Sequence, residues 1–116
     1  MTTMRTVPLL LGLLCGVVLP ACIGDLSQNV RIVNGTTYTV TVYPYGRNQS
    51  QFKHVLAASA SADENMLTSD TNSATFVARV EAVDLSGSLV FCRRYTYGEL
   101  KQLGWQIQIK DRELQC

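Results

Sequence analysis

The chain has 116 residues, of which 47% are hydrophobic and 16% are charged, and its formal net charge is +1. A chain of this length holds one globular domain at most. Because neither sign of charge dominates, the composition argues against nucleic-acid binding through a basic field and against polybasic attachment to anionic lipid.

The N-terminal segment has the pattern of an export signal. Arg5 gives it a positive start, and the 15 residues at positions 7–21 form an apolar run that only prolines and glycines interrupt. About 20 apolar residues are needed to cross the hydrocarbon core of a bilayer, so this run is too short for a permanent span. We therefore expect residues 1–21 to be removed as a signal peptide and the mature protein to be exported.

The end of the apolar run, Leu19-Pro20-Ala21-Cys22, resembles the lipobox of bacterial lipoprotein precursors. In that family the thiol is alkylated with diacylglycerol, the signal is removed, and the acylated cysteine becomes the N-terminus. The resemblance covers residues 1–22 alone. It implies that Cys22 anchors the protein to a bacterial membrane, on the extracytoplasmic side of the cell envelope. The alternative is an ordinary signal peptidase cutting after Ala21 or Gly24, which would release a soluble β-domain.

Residues 22–28 then form a short tether, and residues 29–116 form a single domain. Loss of Arg5 with the signal leaves nine Lys and Arg against nine Asp and Glu, so the mature protein is close to neutral. One acyl chain gives only marginal membrane binding, whereas two or more hold a protein stably. The lipid would therefore keep the folded body close to the membrane surface.

The first half of the domain carries alternating patterns that are typical of strands. Residues 30–46 contain two such runs around Asn34-Gly35, which predicts a β-hairpin or a tight strand–strand corner, with the Asn-Gly pair supplying positive φ angles. Residues 52–58 predict a third strand. Residues 59–74 are small and polar, and they predict a loop that contains one short strand.

A second hairpin is predicted further along the chain. Residues 75–83 and 88–95 both alternate between apolar and polar positions, and the segment DLSG at 84–87 has the composition of a turn.

The periodicity then changes. Thr96 and Glu99 fit the capping box of a helix over residues 97–103, with Gly104 as the left-handed residue beyond its end. Residues 105–110 alternate again and predict a last strand. Together the pattern predicts a mainly all-β fold, an antiparallel β-sandwich of six or seven short strands with one short helix. An open barrel with one short helix is the alternative.

Cysteine parity predicts one disulfide. Cys15 leaves with the signal, and lipid occupies Cys22, so only Cys92 and Cys116 remain. Two thiols of a small exported domain usually pair, and closing a loop of 24 residues stabilises it by about 3 kcal/mol. We expect the strand after the helix to run back beside the strand that holds Cys92.

The sequence offers little for catalysis or for a metal. It has no Gly-rich phosphate loop, no HExxH, no GxSxG and no CxxC motif. His54 is the only histidine, which is too few for type-1 copper, and with Cys92 and Cys116 it has no recognised zinc-site spacing. We therefore expect no enzyme activity, no catalytic residues, no metal and no cofactor.

Two clusters of tyrosine and arginine stand where predicted strands end. One contains Tyr43, Tyr45 and Arg47, and the other contains Arg93, Tyr95 and Tyr97. Tyr and Arg are enriched at recognition surfaces, whereas tyrosines at a sheet end also commonly cap a core. These six residues are the candidate binding residues, and their exposure decides between the two interpretations.

The sequence thus favours a non-enzymatic, membrane-anchored envelope lipoprotein that acts as a small interaction or structural module. The alternative is a carbohydrate- or peptide-binding lipoprotein that uses the Tyr and Arg clusters, and a small hydrolase ranks third because no motif supports it. The expected partners are the membrane, through the lipid, and an envelope protein or glycan. We expect no nucleic acid.

Overall fold

The computed structural model describes residues 28–68 and 70–116, and they fold into a mainly β structure with one short helix. The predicted signal peptide, Cys22 and all of the tether except Gln28 lie outside these residues. The elements are β1 (Gln28–Asn34), β2 (Val40–Tyr43), β3 (His54–Leu56), β4 (Ser61–Leu67), β5 (Val77–Val83), β6 (Leu89–Thr96), α1 (Tyr97–Gln102), β7 (Gln106–Ile109) and β8 (Glu113–Gln115), and a single 3₁₀ turn covers Ser50–Phe52.

The strands form two mixed sheets. The small sheet has the order β4-β1-β7 and the large sheet has the order β3-β2-β5-β6-β8. The prediction of six or seven antiparallel strands is wrong in two respects, because the described residues form eight strands and because β7 lies parallel to β1 and β8 parallel to β6. Parallel neighbours require long crossover connections. Helix α1 and β7 supply that connection between β6 and β8.

Two arrangements were predicted for residues 30–46, a β-hairpin and a tight strand–strand corner, and the structure shows the corner, which lies between the two sheets. β1 belongs to the small sheet and β2 to the large sheet, and the two strands do not pair. A two-residue hairpin of the Asn-Gly type needs positive φ at both residues. Neither Asn34 nor Gly35 has a positive φ, so the expectation that this pair supplies positive φ angles is wrong.

Asn34 and Gly35 serve the corner in other ways. The Asn34 side chain is fully buried, and its amide nitrogen donates to the carbonyls of Tyr38 and Leu56, at 2.8 and 3.0 Å. A Cβ on Gly35 would lie 2.8 Å from the carbonyl oxygen of Ile109, which is closer than real side chains approach. Glycine is therefore required there because β7 passes close by.

Strand β4 is longer than the predicted short strand within a loop. It pairs antiparallel with β1 over most of its length, with Gln28 opposite Leu67 and Val33 opposite Ser61. It is an edge strand of the small sheet, and its large buried side chains are Met66 and Leu67.

The second hairpin and the helix are confirmed. β5 and β6 pair antiparallel, and the turn between them has Gly87 at φ +89°. The Thr96 hydroxyl accepts from the Glu99 amide at 3.2 Å, and the Glu99 carboxylate accepts from the Thr96 amide at 2.8 Å, which completes the capping box. Gly104 has φ +71°, as predicted.

Strand β7, which follows the helix, does not run back beside β6, and this corrects the expectation for that segment. β7 crosses to the small sheet and pairs with β1, and only the tail strand β8 returns to β6. The crossing allows Ile107 and Ile109 to be fully buried among residues of both sheets. One continuous hydrophobic cluster therefore joins the small sheet to the large sheet. Its members include Val30, Ile32, Val40, Val42, Val80, Phe91, Tyr95 and Leu100.

Within the described part of the chain, α1 is the only α-helix, and no helix has the length and apolar character that a bilayer span requires.

Candidate functional site

The segment that follows β2 places Tyr45 between the two sheets. Its ring packs edge-to-face on Phe52, with centroids 5.1 Å apart, and its hydroxyl donates to the Glu64 carboxylate on β4 at 2.9 Å. Burial and this hydrogen bond to a carboxylate both raise the pKa of the Tyr45 hydroxyl. Tyr45 is thus held in place by Phe52 of the 3₁₀ turn and by Glu64 of the small sheet.

His54 contacts the same carboxylate. Its Nε2 lies 2.8 Å from one Glu64 oxygen while Tyr45 occupies the other oxygen. His54 begins β3 of the large sheet and Glu64 lies in β4 of the small sheet. The His54 side chain is half-buried. Glu64 therefore connects the edges of the two sheets through polar contacts.

A second carboxylate, Glu81 on β5, lies behind the same segment. Its side chain is only 4% exposed, and it accepts from the Arg47 backbone amide at 2.8 Å and from the Arg79 guanidinium at 3.2 Å. Burial acts to raise the pKa of Glu81, but the hydrogen bonds and positive charges of Arg47 and Arg79 outweigh it and hold the pKa below its usual value.

Sequence reasoning did not identify Glu81 or Glu64 as members of the site. A signal for Glu81 was present, because Arg79 and Glu81 are two residues apart on one strand and so share a face of the sheet. For Glu64 there was no such signal, since its partners His54 and Tyr45 are 10 and 19 residues away.

Two depressions flank Tyr45. The larger one, of about 440 Å³, is lined by Phe52, Gln49, Asn65, Met66 and other residues along the edge of β4. The smaller one, of about 350 Å³, is lined by Arg47, Asn48, Arg79 and Glu81. An aromatic ring beside amide and hydroxyl groups suits a ligand with both apolar and polar faces.

The second predicted cluster has a different character. Tyr95 is 1% exposed and packs in the core, so the expectation that it offers contact surface is wrong. The alternation of β6 puts it opposite Ala78 on the inner face of the sheet. Burial raises the pKa of Tyr95 to about 12. Arg93 covers the ring at 4.8 Å and pairs with Glu113 of β8 at 3.6 Å.

Tyr97, the last member of that cluster, packs edge-to-face on Trp105 with centroids 5.4 Å apart.

The two clusters lie at the same end of the large sheet, because β2 and β6 both run antiparallel to β5. They do not form one patch, however. Tyr43 is opposite Glu81 on the outer face, whereas Tyr95 is opposite Ala78 on the inner face.

The structure brings Cys92 and Cys116 together. Their Cα atoms are 5.4 Å apart, which lies within the range that a disulfide spans, and their sulfur atoms are at bonding distance. β8 places Leu114 opposite Cys92, so the chain end lies beside β6. Across the described ranges 28–68 and 70–116, the acidic, histidine and cysteine side chains do not form a group of three or more that would hold a metal ion.

Comparison of the chain with protein-family models, with curated proteins and with solved structures gave no match to any of them.

Proposed function

We propose that the chain is the precursor of a membrane-anchored envelope lipoprotein, with diacylglycerol on Cys22 and a non-enzymatic domain that acts as an interaction or structural module. The observation that carries the proposal is the closeness of the lipobox-like segment to the fold. β1 begins at Gln28, so only five residues separate Cys22 from the first strand.

We also propose that the two sheets pack face to face as a sandwich. The support is the shared core, in which Ile32 and Ile107 of the small sheet lie in one buried cluster with Val42 and Phe91 of the large sheet. Sheets that pack in this way bury one face each and leave polar residues on the other.

The polar contacts within the domain support a structural role for these groups. His54 is hydrogen-bonded to Glu64, and the Glu81 carboxylate is balanced by Arg47 and Arg79. These contacts connect strands and loops to one another. Hydrogen bonds and ion pairs of this kind stabilise the fold by satisfying partly buried polar groups.

Metabolic labelling with a radioactive or clickable fatty acid tests the anchor. We expect the wild-type protein to incorporate the label, and Cys22→Ser to lose the label and its membrane association. The matched control is Cys15→Ser, which changes the other cysteine of the N-terminal segment and should leave labelling intact. Equal labelling of Cys22→Ser and the wild type would contradict the proposal.

A second candidate function is carbohydrate or peptide binding at the larger depression beside Tyr45. The observation that favours it is the ring of Phe52, 42% exposed, beside Gln49 and Asn65. The mature protein would be titrated with envelope glycan fragments and with peptides by calorimetry. Phe52→Ala should weaken any binding, and Leu85→Ala, an exposed leucine in the β5–β6 turn, is the control. No heat from either ligand class would eliminate this candidate.

A further inference from the structure

One end of the domain combines the entry of the chain with aromatic and apolar residues. β1 begins there at Gln28, opposite Leu67 of β4. The Arg31 amide donates to the carbonyl of Trp105 at 2.9 Å, which puts the segment after α1 beside the first strand. Tyr97 of α1 lies beside Leu67 in one depression. We refer to Tyr97, Lys101, Leu103 and Trp105 as the entry surface.

The residues of the entry surface are amphipathic. Leu103 is 45% exposed, Tyr97 and Trp105 are half-buried, and Lys101 is exposed. Trp and Tyr are enriched at the boundary between lipid and water, since their rings prefer the apolar side and their polar atoms the aqueous side. Lysine contributes an apolar stem and a positive head group in the same setting.

The backbone holds Trp105 at this surface in a strained conformation. Trp105 has φ +62° directly after Gly104 at φ +71°, and a bulky side chain rarely adopts such an angle. The Trp105 amide donates to the Leu100 carbonyl at 2.9 Å, and its ring packs on Tyr97. Strain of this kind is typically maintained where a side chain must be presented at a fixed position.

The length of the tether limits how far this end of the domain can lie from the lipid. Five residues separate the acylated Cys22 from Gln28, and the six residue steps between the two span about 20 Å at most. The acyl chains are inside the bilayer, so the start of β1 must remain within that distance of the headgroups. Trp105 and Tyr97 lie beside β1 and its partner β4, so the entry surface is on the end of the domain that the tether holds near the lipid.

We propose that the entry surface rests on the bilayer, with Leu103 and Trp105 in the headgroup region and the β5–β6 turn pointing away. The proposal rests on the lipidation of Cys22 proposed above, and its occupant is the phospholipid surface that holds the anchor. The acyl chains supply the affinity, and the entry surface supplies the orientation. Other parts of the domain, such as the depression beside Tyr45, then remain available to partners.

Trp105 is the only tryptophan of the chain and so reports directly on this contact. The acylated full-length protein would be purified from membranes and reconstituted into vesicles of phosphatidylethanolamine and phosphatidylglycerol. A fraction of phosphatidylcholine with brominated acyl chains would serve as the quencher. We expect Trp105 emission to shift to shorter wavelength relative to the protein in detergent, and most of it to be lost to brominated lipid.

A matched reporter at the opposite end serves as the control. Leu85 lies in the β5–β6 turn and is 82% exposed, and the antiparallel register puts that turn at the far end of the large sheet from α1. In a Trp105→Phe, Leu85→Trp protein, emission should not respond to brominated lipid. Equal quenching of both reporters, or of neither, would overturn the proposed orientation.

Substitution of the surface gives an independent check. Leu103→Asp should reduce quenching of Trp105 severalfold, while Leu85→Asp should leave it unchanged. Flotation of the vesicles distinguishes the proposed anchor from the proposed contact of the entry surface with lipid. A protein that floats with the vesicles but shows no quenching overturns the entry surface alone. A protein that does not float overturns the anchor and this proposal together.

Discussion

The side chain of Asn34 has five hydrogen-bonding contacts at the corner between the sheets, and the two hydrogens of its amide nitrogen are shared among three acceptors. Its nitrogen contacts three carbonyl oxygens, and its oxygen accepts from the amide and the hydroxyl of Thr36. A buried polar group is costly when it loses its partners, and here one substitution removes several at once. The corner therefore depends on a single amide group.

We expect Asn34→Ala to lower the free energy of unfolding by about 3 kcal/mol, because the carbonyls of Leu56 and Ala57 lose a buried donor. Urea denaturation of both proteins measures this change. Asn48→Ala, at an exposed asparagine, is the control and should have little effect. A midpoint for Asn34→Ala equal to that of the control would show that the corner does not need the amide.

Glu81 should make the free energy of unfolding depend on pH in the acidic range. Burial acts to raise its pKa, but Arg47 and Arg79 hold the pKa below the usual carboxyl value. A lowered folded-state pKa means that the charged form stabilises the fold above the unfolded-state pKa, near about 4.3, and that this contribution is lost as pH falls through the folded-state value.

We expect Glu81→Gln to cost about 2 kcal/mol at pH 7, less than for a fully buried pair because Arg47 and Arg79 are about half exposed and can be hydrated. The difference between wild type and variant should shrink as pH is lowered from 5 to 3. Chemical denaturation at a series of pH values measures this difference, with Asp63→Asn in an exposed ion pair as the control. A difference that does not change with pH would contradict the ion-pair account.

At the scale of elements, helix α1 depends on its N-terminal cap. A helix of six residues is marginal alone, and Thr96 and Glu99 satisfy amides that would otherwise lack partners. Thr96→Ala should lower stability by about 1 kcal/mol, whereas Thr96→Ser keeps the hydroxyl and should retain most of it. Thr37→Ala, at an exposed position in the corner, is the control for denaturation midpoints. Unchanged stability of Thr96→Ala would mean that the hydroxyl does not cap the helix.

The tail strand β8 is held by the pair Cys92 and Cys116. Leu114 is 55% exposed, so the tail has few apolar contacts of its own. If the two cysteines are bonded, their loop of 24 residues stabilises the fold by about 3 kcal/mol, and Cys116→Ser should lose that amount. Thiol titration of the denatured, unreduced mature protein should find no free thiol. Two titratable thiols would show that the bridge is absent.

Elements with local signals were predictable from the sequence, and those that depend on distant residues were not. The β5–β6 hairpin and the capped helix are encoded within a few residues of each other, in DLSG and in Thr96 to Glu99. At Asn34-Gly35 the same local signal fits a hairpin and a corner. The choice depends on the Leu56 carbonyl and on Ile109, which are 22 and 74 residues away from their partners Asn34 and Gly35.

The candidate site was predictable only in part for the same reason. Tyr45 and Arg47 stood out by residue type, but the carboxylates that position them come from β4 and β5. Tyr95 stood out equally and proved to be a core residue, because only the pairing of β6 with β5 determines which way it points. Residue type alone does not give the face of a strand when both faces carry aromatic or charged residues.

At the scale of the whole molecule, the proposed acylation of Cys22 has two consequences for a domain that is close to neutral. The acyl chains would be the source of membrane affinity, since the net charge of the mature chain attracts neither lipid nor nucleic acid. The short tether would then keep one end of the domain near the bilayer. Both statements depend on the chemical state of Cys22.

Mass spectrometry tests the chemical state of Cys22 most directly. The mature protein would be purified from membranes, and the masses of the intact chain and of its N-terminal peptide would be measured. We expect a chain that begins at Cys22 and carries the mass of a diacylglyceryl group on its sulfur. A mature N-terminus at Ile23 or Asp25, or an unmodified Cys22, would contradict the account.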